Sequence, residues 1–139
     1  MISVVLDTNV FISAFVFGGN PRRVVQLAEA AAYTLVISQA IQDETERILL
    51  QKFHWGRRPM AQACIPVWNL AQVVAPKGVV TAVDDPDDNR ILECALDGGA
   101  TVMVTGDQDL LRLNPYQEVS ILPPAEFLRL RMWQQKTRG

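Results

Sequence analysis

The sequence predicts an α/β fold with a mostly parallel sheet covered on both faces by helices. Two observations carry this. Short apolar runs alternate along the chain with longer amphipathic stretches, the order expected of repeated strand–helix units. Within those runs polar and apolar residues do not alternate, so the strands are buried on both faces, as parallel strands are. A length of 139 residues suits one domain, 1–139, large enough to bury a core without staples.

The elements follow in order. Residues 2–6 form a first strand, closed by Asp7-Thr8-Asn9, three residues that all cap helices well, with a helical stretch after them. Gly18-Gly19-Asn20-Pro21 reads as a loop, and Pro21 fits the first turn of a helix to about Ala32. Residues 34–37 form a second strand, and Ser38 caps a helix running to about Lys52. A basic, polar break spans 56–59. A helix over 60–70 contains Pro66, which is expected to kink or end it.

Residues 73–75 form a weak third strand, punctuated by Pro76-Lys77-Gly78. Asp85 as cap and Pro86 as first residue open a helix to about Asp97, and Gly98-Gly99 ends it. A fourth strand spans 101–105. Gly106-Asp107 turns into a short helix over 108–113, residues 119–122 form the last strand, and Pro123-Pro124 starts a final helix. From about 130 the chain is a basic tail expected to fray, from which Trp133 can still dock.

Composition narrows the function classes. Hydrophobic residues make up 49% and charged residues 20%, values of a folded protein. The net charge of −2 argues against holding nucleic acid by charge alone. It argues less against an enzyme whose bound cations supply positive charge locally. Cys64 and Cys94 stand far apart with no Cys-x-x-Cys pattern, and read as two buried, reduced thiols. His54, the only histidine, reads as a surface or helix-end residue, which excludes a Ser-His-Asp triad and a His-rich metal site. No run approaches a membrane span and the N-terminus has no basic lead, so a cytoplasmic location is expected.

The acids are more informative. Ligands of open parallel sheets bind beyond the carboxyl ends of the strands. Asp7 follows the first strand directly and Asp107 follows the fourth through one glycine. Capping explains both nearly as well, although Thr8 or Asn9 can cap in place of Asp7. Asp88 has Ile91, Leu92 and Ala95 at i+3, i+4 and i+7, which puts a carboxylate on the core-facing stripe of its helix. Asp87 can pair with Arg90, and Asp84 can stay in solvent. Glu44 borders a stripe made by Ala40, Ile41 and Ile48, with an ion pair to Arg47 as the plainer alternative; Glu46 reads as solvated. Like charges packed together resist ionisation, so such a rim either raises its pKa values or takes a cation. Hard oxygen ligands select Mg²⁺ or Mn²⁺ rather than zinc.

With these residues in place, the sequence resembles the PIN-domain ribonucleases. Leu6-Asp7-Thr8-Asn9-Val10 resembles their opening motif and 38–44 their second. The run from Asp85 to Ala95 resembles the third, and Val104-Thr105-Gly106-Asp107-Gln108-Asp109-Leu110 the fourth. Each motif is short, but all four occur in order across nearly the whole chain. The branch it is most similar to is the toxin component of bacterial and archaeal toxin–antitoxin pairs. The resemblance implies a three-layer α/β/α sandwich with catalytic, metal-holding Asp7, Glu44, Asp88 and Asp107, supported by Asn9, Thr105 and Asp109. It further implies metal-assisted hydrolysis of RNA with Mg²⁺ or Mn²⁺, a homodimer, and a cognate antitoxin partner. The acidic third motif is rich, which leaves Asp85 or Asp87 able to share the metal role. The tract 55–77 carries no motif.

Two other readings compete. A phosphatase of the haloacid dehalogenase type needs a second aspartate two residues after the first, where this chain has Asn9. A non-catalytic PIN-fold binding module would show degenerate acids, and all four are present.

Overall fold

The computed structural model describes residues 1–130, 132 and 133. Five strands, β1 (Ser3–Leu6), β2 (Thr34–Ser38), β3 (Gln72–Val74), β4 (Val102–Val104) and β5 (Ser120–Leu122), form one sheet in the order β3-β2-β1-β4-β5. Every pairing is parallel. Helices α1 (Thr8–Val16), α2 (Gly19–Glu29), α3 (Gln39–Gln51), α4 (Arg57–Leu70), α5 (Pro86–Asp97), α6 (Gln108–Leu111) and α7 (Pro124–Leu128) flank it. The expected α/β class is therefore observed, with a sheet wholly rather than mostly parallel.

The strand order fixes where a site can lie. The chain builds outward from β1 through β2 to β3, then returns to the other side of β1 with β4 and β5. The order reverses between β1 and β4, and a parallel sheet opens a crevice at such a point, beyond the strands' carboxyl ends. Beneath it the core is apolar: Val4, Val5, Leu6, Val36, Ile37, Leu92, Met103 and Val104 are fully enclosed. Tyr33, Phe127 and Trp133 pack against one another, and the Trp133 indole N–H donates to the Phe127 carbonyl at 2.7 Å. Trp133 thus docks as expected; the rest of the tail beyond 130, apart from Met132, lies outside the described residues.

Several boundaries differ from the sequence expectation for local reasons. The loop expected at 18–21 is shorter: α2 starts at Gly19, Gly18 takes a φ of 85°, and Pro21 still falls in the first turn. It ends at Glu29 because Ala31 turns to a φ of 58°. Helix α4 starts at Arg57, before the expected Met60, because Pro59 sits in the first turn where its missing N–H is not needed. It also runs through Pro66 rather than ending there. Both Pro66 and Gln62, whose carbonyl loses its partner, are exposed, so water can serve that carbonyl. Within the motif-free tract 55–77, α4 packs against α3 and helps enclose Ile12, Leu49 and Cys64 in a second small cluster.

Two features govern α5. Gly98 ends it hard against β2: a Cβ there would stand 2.5 Å from Val36 Cγ1 and 2.7 Å from the Cys94 carbonyl. The link from β3 to α5 lies along the helix and is tied to one stripe of it. Asp97 accepts from the Lys77 and Gly78 amides at 2.6 and 3.0 Å, and Glu93 from the Val80 amide at 2.9 Å. Asn89 accepts from the Val83 amide and donates to its carbonyl, at 3.1 and 2.8 Å. Residues 89, 93 and 97 are spaced by four, so they share one helical face.

Candidate metal centre

The candidate site sits at the crevice between the ends of β1 and β4. Asp7 follows β1, is 3% exposed and caps α1. Of the three capping candidates Asp7, Thr8 and Asn9, it is Asp7 that caps, yet capping occupies only one carboxylate oxygen. Asp7 Oδ1 accepts from the Asn9 amide at 3.4 Å, while Oδ2 accepts from the Thr105 hydroxyl at 2.7 Å. Thr105, fully buried just past β4, also accepts from the Asp107 amide at 3.0 Å. One hydroxyl thus couples the two strand ends.

Asp107 repeats the pattern. It caps α6 through Oδ1, which accepts from the Asp109 and Leu110 amides at 2.8 and 3.3 Å. Its Oδ2 carries no hydrogen bond among the described residues. Asp109 itself is exposed and pairs with Arg112 at 2.8 Å. On the other side Asp85 caps α5 and Pro86 follows, as the sequence indicates. That start places Asp88 in the first turn, 9% exposed. Glu44, one turn into α3 and half-buried, comes up beside it.

These carboxylates feel one another. Burial pushes the Asp88 carboxyl up to about 7, and the charges of Asp107, Asp7, Asp85 and Glu44 add to the rise. Glu44 also rises to about 7, first through burial, then through Asp87, which faces it, with Asp7 contributing less. The neighbouring Thr8 hydroxyl offsets part of this. Asp7 is raised chiefly by burial, against the lowering pull of Thr105, with Asp107 adding to the rise. Only a short distance lets one carboxyl move another's proton affinity in this way. All four acids singled out from the sequence therefore share one neighbourhood.

They do not close into a finished cage. Among the described residues no three Asp, Glu, His or Cys side chains stand together as a cation-holding group. Mutual repulsion keeps unpaired carboxylates apart. The donor set is nonetheless suited to a hard cation, since every group meeting there is an oxygen. Thr8 Oγ1 supports the same fit: it is enclosed beside the Glu44 carboxyl yet makes no hydrogen bond of good geometry among the described residues, a costly state for a hydroxyl.

Three side chains take roles the sequence does not indicate. Thr8, in sequence only a capping candidate, is enclosed beside the acids. Arg90 pairs with the buried Glu93 at 2.7 Å rather than with Asp87, and that guanidinium holds the Glu93 carboxyl below the usual range. Glu46, expected in solvent, accepts from the Trp68 indole at 3.0 Å. Glu44 makes no ion pair with Arg47 among the described residues. Cys64 and Cys94 are free and buried, as expected.

Fold and site define an α/β protein with carboxylates gathered at the switch point of a parallel sheet. The chain matches the PIN domain family over residues 3–109 and belongs to it. It is also similar to "Uncharacterized protein MJ1680" of Methanocaldococcus jannaschii, with 27% identity over 140 residues, covering 91% of this chain and 90% of that protein. PIN domains are generally nucleases, that is, hydrolases. No helix among the described residues is long and apolar enough to cross a membrane.

Proposed function

We propose that the protein is an endoribonuclease that requires Mg²⁺ or Mn²⁺ and hydrolyses RNA phosphodiesters in the cytoplasm. In this reading it is the toxin of a toxin–antitoxin pair, a homodimer silenced by a cognate antitoxin. The observation that carries the nuclease reading is the gathering of carboxylates at the sheet's switch point, where burial and neighbouring acids hold Asp7, Glu44 and Asp88 above the usual carboxylate range. A metal-free cluster of this kind is electrostatically costly, and a divalent cation relieves the cost. The toxin role, the antitoxin and the dimer rest on the resemblance of the four motifs.

Asp7, Glu44, Asp88 and Asp107 are the catalytic, metal-holding residues of this proposal. A divalent cation held by these carboxylates would supply Lewis acidity, making a water more acidic and offsetting charge on the phosphoryl oxygens. The chain's own part is placement. Thr105 fixes the rotamer of Asp7 and the backbone entering Asp107. The α6 cap holds one Asp107 oxygen and leaves the other directed elsewhere. Asn9 and Asp109 support these turns, through the backbone amide that each presents to the neighbouring aspartate. Asp87, facing Glu44, is the added acid of the third motif best placed to share the cation.

The test is incubation of purified protein with a mixed RNA pool, with and without Mn²⁺, beside Asp88→Asn. Cleavage that needs Mn²⁺ and is lost in the variant supports the reading. Cleavage that persists in the variant, or absence of cleavage by the wild type, refutes it. Mn²⁺ should also raise the melting temperature of the wild type and leave Asp7→Asn unmoved.

A further inference from the structure

Beside the acidic crevice lies a second concavity of about 450 Å³, at the carboxyl ends of β2 and β3. Val74, Pro76 and Ala40 give it apolar walls, and Arg90 and Glu93 a polar edge. It neighbours the candidate site along both helices. Ala40 stands one turn before Glu44 on the same face of α3, and Arg90 stands one turn past Asp87, the acid that faces Glu44, on α5.

The state of Arg90 indicates what fits there. Its Nε and Nη2 donate side-on to the two Glu93 oxygens at 2.7 and 2.8 Å. Glu93 is itself 7% exposed and anchored on the Val80 amide, so the guanidinium is held in place. Its charge is already met by Glu93. Nη1 makes no hydrogen bond among the described residues, and Nη2 has a second hydrogen, so the outer end of the fork remains available. Two parallel N–H donors at that spacing match two adjacent acceptors, and among bases guanine alone offers O6 and N7 side by side. An apolar slot suits the faces of a flat base, and the pre-fixed fork spares the ordering cost of binding.

We propose that this concavity is a base subsite that selects guanine in the RNA next to the scissile phosphate, read by Arg90 and with Glu93 as the positioning residue. The proposal rests on the ribonuclease reading for its substrate. Two measurements separate the two ideas. In the first, Mn²⁺-dependent cleavage sites are mapped on a mixed RNA pool for wild type, Arg90→Lys and Arg90→Ala. Guanine is expected at one fixed position relative to the cut, with a preference of about tenfold that both variants lose while cutting elsewhere persists. Lysine keeps the charge but not the fork, so Arg90→Lys carries the test if Arg90→Ala folds poorly.

The second measurement needs no cleavage: amide chemical shifts of Ala40, Val74 and Ala75 are followed as GMP or AMP is added. GMP should move them more than AMP, and Arg90→Lys should erase the difference. A wild type that cuts no RNA yet shows this selectivity overturns the nuclease reading and leaves the subsite standing. Equal responses to GMP and AMP, or an unchanged base preference in Arg90→Lys, overturn the subsite. So does a uniform loss of cutting at every site in Arg90→Ala with a shallower salt dependence, which marks a phosphate contact instead.

Discussion

Thr105→Val is the sharpest probe of the site, because it keeps the shape of a fully buried side chain and removes one oxygen. That oxygen makes two hydrogen bonds, donating to Asp7 Oδ2 at 2.7 Å and accepting from the Asp107 amide at 3.0 Å. A bond to a carboxylate contributes about 1.5–3 kcal/mol and an amide bond about 1, so the expected loss is about 2.5–4 kcal/mol. At this chain length each kcal/mol shifts the melting midpoint by roughly 3–5 °C, giving a fall of roughly 8–20 °C by circular dichroism. The functional effect has a sign of its own. Thr105 lowers the Asp7 pKa, so its loss makes Asp7 harder to ionise and moves Mn²⁺ binding to higher pH. Loss of a residue that orients a ligand weakens metal binding by about 10–100-fold. The assay is a Mn²⁺ titration of wild type, Thr105→Val and Thr105→Ser across neutral pH, with serine restoring the hydroxyl. Equal Mn²⁺ affinity and pH dependence for valine and serine would refute the claim that this hydroxyl organises the carboxylates.

Other outcomes follow from the same structure. Asp88 and Glu44 have folded-state values of about 7, above their ordinary 3.8 and 4.5, so the folded protein holds their protons more tightly than the unfolded chain. Metal-free stability should therefore fall as pH rises from about 4.5 towards 7 and level off above it; saturating Mn²⁺ should flatten the fall, and Asp88→Asn should reduce it, both read from melting midpoints across pH. Gly98→Ala puts a methyl group onto Val36 and the Cys94 carbonyl, so a loss of about 1–3 kcal/mol is expected in urea unfolding, and a neutral result would show that α5 can move off β2. Trp133→Ala removes an enclosed indole from Tyr33 and Phe127 and should cost about 3–5 kcal/mol in the same assay; a change below 1 would mean the C-terminal residues do not hold the α2–α7 side together.

How much was legible in the sequence depended on whether the signal was local. The start of α5 was readable because an aspartate cap followed by proline is a local device, and with it came the depth of Asp88. Residues 2–6 announced β1 because a buried parallel strand is apolar throughout. Asp7 and Asp107 were ambiguous because capping and cation binding compete for the same residue in a one-dimensional reading. The structure removes the conflict because capping takes one oxygen of each carboxylate: Asp7 turns the other to the Thr105 hydroxyl, and Asp107 keeps the other without a hydrogen bond among the described residues. What stayed hidden depended on contacts distant in sequence. Nothing near Glu46 announces the Trp68 indole that reaches it from α4. Arg90 has an acid three residues away on either side, and only the amide of Val80, brought in from the preceding link, buries Glu93 and decides the pairing.

That link, residues 75–85, lacks regular structure and would ordinarily be where a protein accepts insertions and deletions. Here its amides are answered at fixed intervals by side chains a helical turn apart on α5. It therefore behaves as a keyed part rather than as slack. One added residue between Lys77 and Val83 would put the backbone out of step with Asp97, Glu93 and Asn89 in turn, and would reach Arg90 through the loss of its anchored partner. Evolution and engineering can lengthen such a connection only by rewriting the helix beside it.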